Sequence, residues 1–426
     1  MRKNDKTKQE KKALLASLIG SSIEWFDFFL YGTSAAIVFN KLFFPNEDPF
    51  IALMLSYLSF GIPFFIRPLG GIIFSHIGDK IGRKKTLVIT LTLMGAATVC
   101  IGLLPTYQTI GLLAPILLII LRVIQGLGIG GEWGGALLLA VEYAPKEKKG
   151  FFGSIPQIGV TIGMLLGTSA VAAMTVISGD GFIVWGWRVP FILSAVLVLI
   201  GLWIRNGLDE TPDFKKVKES GHITKVPLFD TLKYHWREVL IATGAKFAET
   251  GPFYIFSTFI VSYGTSQLAL PNTSVLNAVT IATFVTTGMI PLMGILSDKI
   301  GRKRMYTWGV FLLLVYAFPY FLLLNKGTMA AVVAATIIGL GILWAPVTAV
   351  LGTLFSELFS TNVRYTGITL GYQLGAALAG GTAPLIATYL MREFHGSWIP
   401  VALYIVVTCI ISLLSIATVS SKKMMA

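Results

Sequence analysis

The sequence predicts an all-α membrane protein: twelve transmembrane helices in two pseudo-symmetric six-helix bundles, with both termini in the cytoplasm. Three observations lead there: the hydropathy of the chain, the placement of its basic residues, and an internal repeat. Of 426 residues, 54% are hydrophobic and only 13% are charged. A soluble protein carries about 25% charged residues. Apolar runs of about twenty residues recur along the whole chain, each long enough to cross the hydrocarbon as a helix.

In chain order the runs are 13–39, 50–76, 86–104, 111–143, 151–177, 187–205, 239–263, 274–296, 304–324, 329–358, 367–391 and 398–419. The first is too long, and too interrupted by carboxylates, to be a cleaved leader. The layout that follows is a cytoplasmic tail (1–12), a first bundle (13–205), a polar cytoplasmic linker (206–238), a second bundle (239–419) and a short tail (420–426).

The net charge of +13 is explained by position rather than by a polyanionic partner. Taking the loops alternately, 27 of the 34 Lys and Arg fall on one side, four on the other and three inside spans. This is the positive-inside asymmetry, which places both termini in the cytoplasm and removes the case for nucleic acid. Cys100 and Cys409 lie in spans, and His76, His222, His235 and His395 are scattered. Neither a disulfide framework nor a metal site is expected from them.

The repeat is explicit. GDKIGRKK (Gly78–Lys85) returns as SDKIGRKR (Ser297–Arg304), 219 residues later. VEYAPKEKKGFFGSIPQIG (Val141–Gly159) resembles SELFSTNVRYTGITLGYQLG (Ser356–Gly375), pairing Glu142 with Glu357 and Gln157 with Gln373. Six spans separate the copies, so the halves run in the same orientation. Gly159, Gly163 and Gly167, and Gly371 and Gly375 in the matching span, mark faces where helix backbones approach closely. GLGIGG (Gly126–Gly131) fits the dinucleotide pattern, yet it lies in an apolar helix with no preceding strand, and no nucleotide site follows from it.

Charges within spans are the functional signal. They are Glu24 and Asp27 in the first span, Arg67 in the second, Arg122 and Glu132 in the fourth, and Lys246 and Glu249 in the seventh. Each costs about 2.5–3.5 kcal/mol at a helix centre. Left in lipid, the set would cost on the order of 20 kcal/mol, more than the stability of a typical fold. All but Arg67 sit on spans one, four and seven, and both pairs are spaced i,i+3, on one helix face. They are expected to meet in a polar chamber between the bundles. Glu24 and Asp27, like charges on one face, are candidates for taking up and releasing a proton. Arg67, towards the cytoplasmic end and followed by Pro68, is expected to be a register-setting ion pair.

Two loop motifs then point to a family. G-x-x-x-D-K-x-G-R-K at Ser75–Lys84, with Ser75 in place of the opening Gly, and again at Gly294–Lys303, resembles the loop signature of the major facilitator superfamily. RVIQG (Arg122–Gly126) resembles its fourth-helix motif. IEWFDFFLYG, IRPLGGIIFSHIGDKIGRKK, GGEWGGALLLAVEYAP and WGWRVPFILSAVLVLIGLWIRNGLDETP resemble the metabolite:proton symporter family, and the likeness runs over about residues 13–419.

The resemblance implies a central substrate site that opens alternately to the two sides of the membrane. It implies a cytoplasmic gate built from Asp79, Arg83 and Glu142 and, by repeat, Asp298, Arg302, Glu357 and Arg364. It associates Arg122 with proton coupling, together with Glu24, Asp27 and Glu132. Candidate substrate contacts are Tyr31, Arg122, Trp133, Gln157, Lys246, Glu249, Tyr254, Trp344 and Gln373, with Arg122 and Lys246 holding a carboxylate.

Family substrates include proline and betaine, shikimate, 2-oxoglutarate, citrate and other carboxylates. Lys246-x-x-Glu249 is similar to a pattern of the shikimate members, and the chain stops soon after the last span, without the coiled-coil extension of the osmosensing transporters. The expectation is a proton-coupled importer of a small organic acid in the cell (inner or plasma) membrane, working as a monomer with no metal or cofactor besides the coupling proton. An osmolyte symporter for betaine or proline is the alternative. The chain has no H-E-x-x-H and no G-x-S-x-G, which argues against an intramembrane enzyme, and its linker and tails are too short for a sensor domain.

Overall fold

The computed structural model describes residues 3–81, 83–130, 133–142, 144–206, 228–359 and 364–419. The described residues form helices and the turns between them, with no strand. Apolar runs of this length have no alternative in hydrocarbon, where each backbone polar group must be satisfied within its own segment.

The first half of the chain supplies α1 (Lys3–Ser34), α2 (Pro49–Ile81), α3 (Arg83–Leu103), α4 (Leu113–Gly130), α5 (Trp133–Glu142), α6 (Lys149–Ser178) and α7 (Arg188–Asn206). The second half supplies α8 (Trp236–Tyr254), α9 (Ile260–Ser266), α10 (Asn272–Ile300), α11 (Arg302–Leu324), α12 (Met329–Thr336), α13 (Ala345–Leu358), α14 (Arg364–Ala376), α15 (Ala383–Glu393) and α16 (Ile399–Ala417). Residues 207–227, inside the predicted linker, lie outside the described residues, and Leu228–Tyr234 is helical.

Among the described residues, 8 helices are long and apolar enough to cross a membrane, and Val88–Leu103 and Arg188–Ile204 are shorter apolar ones. Length and apolarity therefore select fewer than the twelve spans expected. The run at 239–263 falls outside the set because Lys246 and Glu249 lower its hydropathy, whereas the first part of the run at 13–39 lies outside the residues whose side chains are described. Both also pass through a π turn, at Ala35–Phe39 and Ile255–Phe259. The two turns start at matching places in the repeat, and such widened turns concentrate at functional sites.

Glycines set the helix spacing in both halves. α1 packs along α6, where a Cβ at Gly163 would stand 2.6 Å from the Phe26 amide nitrogen. α8 packs along α14, where a Cβ at Gly375 would stand 2.6 Å from the Thr243 carbonyl oxygen. Between the halves, α6 runs against α10 and α2 against α14. Trp203, Phe284 and Trp308, exposed by 78%, 73% and 62%, lie on the outer surface, as lipid-facing side chains would.

Candidate functional site: a charged cavity between the halves

Six of the seven ionisable residues predicted within spans can be placed: Glu24, Asp27, Arg67, Arg122, Lys246 and Glu249 are all buried, none above 5% exposed. They face protein, not lipid. Glu132 lies outside the described residues. Of the charges on spans one, four and seven, Lys246 and Glu249 line the cavity but Asp27 and Arg122 do not, which corrects the expected single chamber.

One group closes on itself within the first half. Thr98, on α3, donates its hydroxyl to Asp27 Oδ2 at 2.8 Å. Gln125 Nε2 donates to the Thr98 oxygen at 2.7 Å, and Arg122 Nη1 donates to Gln125 Oε1 at 2.7 Å. The rest of the Arg122 guanidinium is spent on the Ser59 and Phe60 carbonyls, at 3.2 and 3.0 Å. It lies 3.7 Å over the Tyr31 ring, whose hydroxyl is 2.6 Å from Ser59 Oγ. The line Asp27–Thr98–Gln125–Arg122 thus joins α1, α3 and α4 without reaching the cavity wall. Asp27 Oδ1 has no hydrogen-bond partner.

The second group forms the cavity. Trp25 of α1, Phe64 and Arg67 of α2, and Val160 of α6 face Lys246, Glu249, Thr250, Phe253 and Tyr254 of α8, Trp344 before α13, and Tyr372 and Ala376 of α14. They border a space of about 270 Å³, adjoining solvent included. Lys246 and Glu249 form a salt bridge. Glu249 also accepts from Thr250 Oγ1 at 2.8 Å and Thr348 Oγ1 at 3.2 Å, and its carbonyl accepts from Trp344 Nε1 at 2.6 Å. Lys246 Nζ lies 3.6 Å over Tyr372, which stacks on Trp133 at 3.5 Å, so the second-half cation is linked to the first half through two rings.

Arg67 is where sequence reasoning failed. Its guanidinium lies 4.6 Å over Phe64, 4.7 Å over Phe28 and 5.7 Å over Trp25, and it lines the cavity. The available signal was the rule that an ionisable residue within a span marks a functional site by default. Trp25, Phe64, Thr250, Phe253 and Tyr372 were also missed, because aromatic and hydroxyl residues in an apolar run carry no such flag.

Of the candidate substrate contacts, Lys246, Glu249, Tyr254 and Trp344 are on the wall. Arg122 and Tyr31 are engaged elsewhere, and Trp133 is behind Tyr372. Gln157 and Gln373 sit one helical turn from Val160 and Ala376. Both side-chain atoms of Gln157, Gln373 Oε1, Trp25 Nε1 and the Tyr254 hydroxyl are buried without hydrogen-bond partners.

The halves also touch at both ends of the cavity. At the end carrying the basic loops, Asp298 accepts from the Gly150 and Phe151 amides at 2.7 and 3.0 Å, capping the first turn of α6. Arg302 pairs with Asp298 at 3.1 Å and with Glu357. The side chains of Asp79, Arg83, Glu142 and Arg364 lie outside the described residues. At the other end Tyr57 donates to Ser262 at 3.1 Å, and Arg392 meets Asp48 at 3.6 Å.

An all-helical chain with internally repeated halves and buried charges around a cavity between them is a polytopic membrane transporter. Comparison with known proteins gives the family. The profile described as Major Facilitator Superfamily matches residues 17–380, and the chain belongs to that superfamily. The chain is 40% identical to the "Shikimate transporter" of Escherichia coli K12, covering 94% of this chain and 92% of that one. It is 35% identical to the "Proline/betaine transporter" of Salmonella typhimurium LT2, over 95% and 82% of the two chains. Among solved structures, the proton:xylose symporter XylE bound to 6-bromo-6-deoxy-D-glucose superposes with a TM-score of 0.77 at 15% identity, over 96% and 95% of the chains, a likeness of fold.

Proposed function

We propose that this transporter is a proton-coupled symporter importing a small hydroxylated organic acid by alternating access. The observation that carries the reading is the charge balance of the cavity wall. Two cations, Arg67 and Lys246, face it against one carboxylate, Glu249, an excess that favours an anion. The unspent polar atoms of Trp25, Tyr254, Gln157 and Gln373 include donors and acceptors. A ligand with hydroxyl groups satisfies both kinds, and the named shikimate relative is in keeping with this.

In this reading the chain crosses the cell's inner or plasma membrane twelve times, in two six-helix bundles joined by a cytoplasmic linker, with both termini inside. It works as a monomer and needs no cofactor besides the proton. Asp27 is the proton site, its free Oδ1 giving the proton a place, and Thr98, Gln125 and Arg122 connect it to the core; Glu24 and Glu132 belong to the same coupling set. Asp298, Arg302 and Glu357, with Asp79, Arg83, Glu142 and Arg364, form the gate that holds the cytoplasmic side shut.

A second reading has one observation in its favour. Trp25, Phe64, Phe253, Tyr254, Trp344 and Tyr372 make the wall largely aromatic, and ring faces bind a quaternary ammonium. Betaine and proline therefore belong in the test. Purified protein in liposomes, with the outside acidified, is expected to accumulate labelled shikimate above its external level. Asp27→Asn is expected to abolish accumulation while leaving exchange of labelled for unlabelled substrate. Unchanged accumulation in Asp27→Asn would remove Asp27 from the coupling, and uptake confined to betaine and proline would establish the osmolyte reading.

A further inference from the structure

Arg67 holds the cavity's unspent cation. The side chain is 1% exposed, and three aromatic rings lie against its plane: Phe28, Phe64 and Trp25. Such stacking orients a guanidinium without using its N–H donors. Among the described residues Nε and Nη2 have no hydrogen-bond partner. These two nitrogens share one edge of the guanidinium, where their N–H bonds run parallel and match the two oxygens of a carboxylate.

Among the described residues no other cation of the core offers such an edge. Arg122 spends Nε, Nη1 and Nη2 on Ser59, Gln125 and Phe60. Lys246 is paired with Glu249 and covered by Tyr372. Leaving buried donors idle carries a desolvation cost that a ligand with matching acceptors would relieve.

We propose that Arg67 selects the substrate's carboxylate, receiving both oxygens on its Nε–Nη2 edge while the three rings hold that edge towards the cavity. This rests on the organic-acid reading above and sharpens it: the acid group sits on the first half, at α2, and the rest of the ligand faces α8 and α14. Carboxylate recognition then passes from Arg122 and Lys246, where the sequence placed it, to Arg67.

The test compares shikimate with its uncharged methyl ester on the full chain in lipid nanodiscs, by titration calorimetry. The unmodified protein is expected to prefer the acid. Arg67→Gln should weaken acid binding by about 10–100-fold, the worth of charged hydrogen bonds, and leave ester binding unchanged. Arg67→Lys, which keeps the charge without the fork, should fall between. An Arg67→Gln protein that still prefers the acid to the same degree overturns the proposal and leaves the organic-acid reading standing. Unmodified protein that binds betaine but neither shikimate nor citrate overturns both. Should the variants fail to fold, phenylglyoxal labelling of the unmodified protein followed by peptide mass spectrometry decides: protection of Arg67 by the acid but not the ester supports the assignment, and equal labelling overturns it.

Discussion

Asp27 and Arg122 in the first half and Lys246 and Glu249 in the second are arranged to opposite ends, while Arg67 of α2 faces the cavity. In the first half Asp27 and Arg122 never meet; two neutral side chains, Thr98 and Gln125, stand between them, and the whole line is turned away from the cavity. In the second half Lys246 and Glu249 touch each other directly and face it. A relay of neutral groups can pass a change of protonation along without exposing either charge to substrate. A contact pair on the wall can be opened only by something that enters. Under the proposed function, the line across α1, α3 and α4 is the part suited to the proton, and α8, facing Arg67 of α2, the part suited to the ligand.

The contrast breaks most readily at Lys246. Lys246→Met leaves Glu249 buried without its cation, and removing one member of a buried pair costs about 3–5 kcal/mol. Adding Glu249→Leu should return most of that stability, because the uncompensated charge goes with it, yet transport should stay lost. Thermal unfolding in detergent reads the first result and liposome uptake the second. If the single and double variants unfold alike, the two residues are not a unit and the contrast between the halves fails.

What the halves share is the packing beneath these groups. Gly163 on α6 and Gly375 on α14 each let a partner helix's backbone come close enough that a Cβ would overlap it. Gly163→Val and Gly375→Val are each expected to destabilise by about 1–3 kcal/mol, as overpacking does. Equal losses in thermal unfolding fit a common scaffold under divergent sites. A loss on one side only would mean that the scaffold has diverged as well.

Thr98→Val probes the relay itself at a smaller cost. It is nearly isosteric and removes the hydroxyl that bonds both Asp27 and Gln125, two hydrogen bonds worth about 1 kcal/mol each. Proton-driven accumulation should fall well below that of the unmodified protein while substrate exchange continues, which liposome assays separate. Intact accumulation would mean that the line is structural.

Much of this was legible in the chain. Apolar runs announce helices because hydrocarbon leaves the backbone no other choice, and two copies of D-K-I-G-R-K announce a repeat. That the six placeable charges are buried followed from their cost in lipid. What could not be read was rotation about each helix axis. Arg67 and Arg122 look alike in sequence, an Arg in an apolar run, yet one faces the cavity and the other is bound within its own half. The stack of Trp133 on Tyr372 joins residues of separate halves, and no local pattern encodes it. The cap of Asp298 on α6 was hidden for a different reason: its partners are the Gly150 and Phe151 amides, and backbone groups have no residue type to recognise.

The smallest effect belongs to the pair at the rim opposite the basic loops. Arg392 and Asp48 bridge the halves at 3.6 Å, but both are more than half exposed. Water and salt screen such a pair to about 0–1 kcal/mol, against the several expected for Lys246 and Glu249. Arg392→Ala should leave the unfolding temperature nearly unchanged, and whatever it costs should shrink as salt is raised from 50 to 500 mM. Uptake is expected to keep its substrate preference, because the binding groups lie deeper. A large loss that persists at high salt would show that this bridge acts as a latch, and the division of labour would then extend from the buried core to the rim.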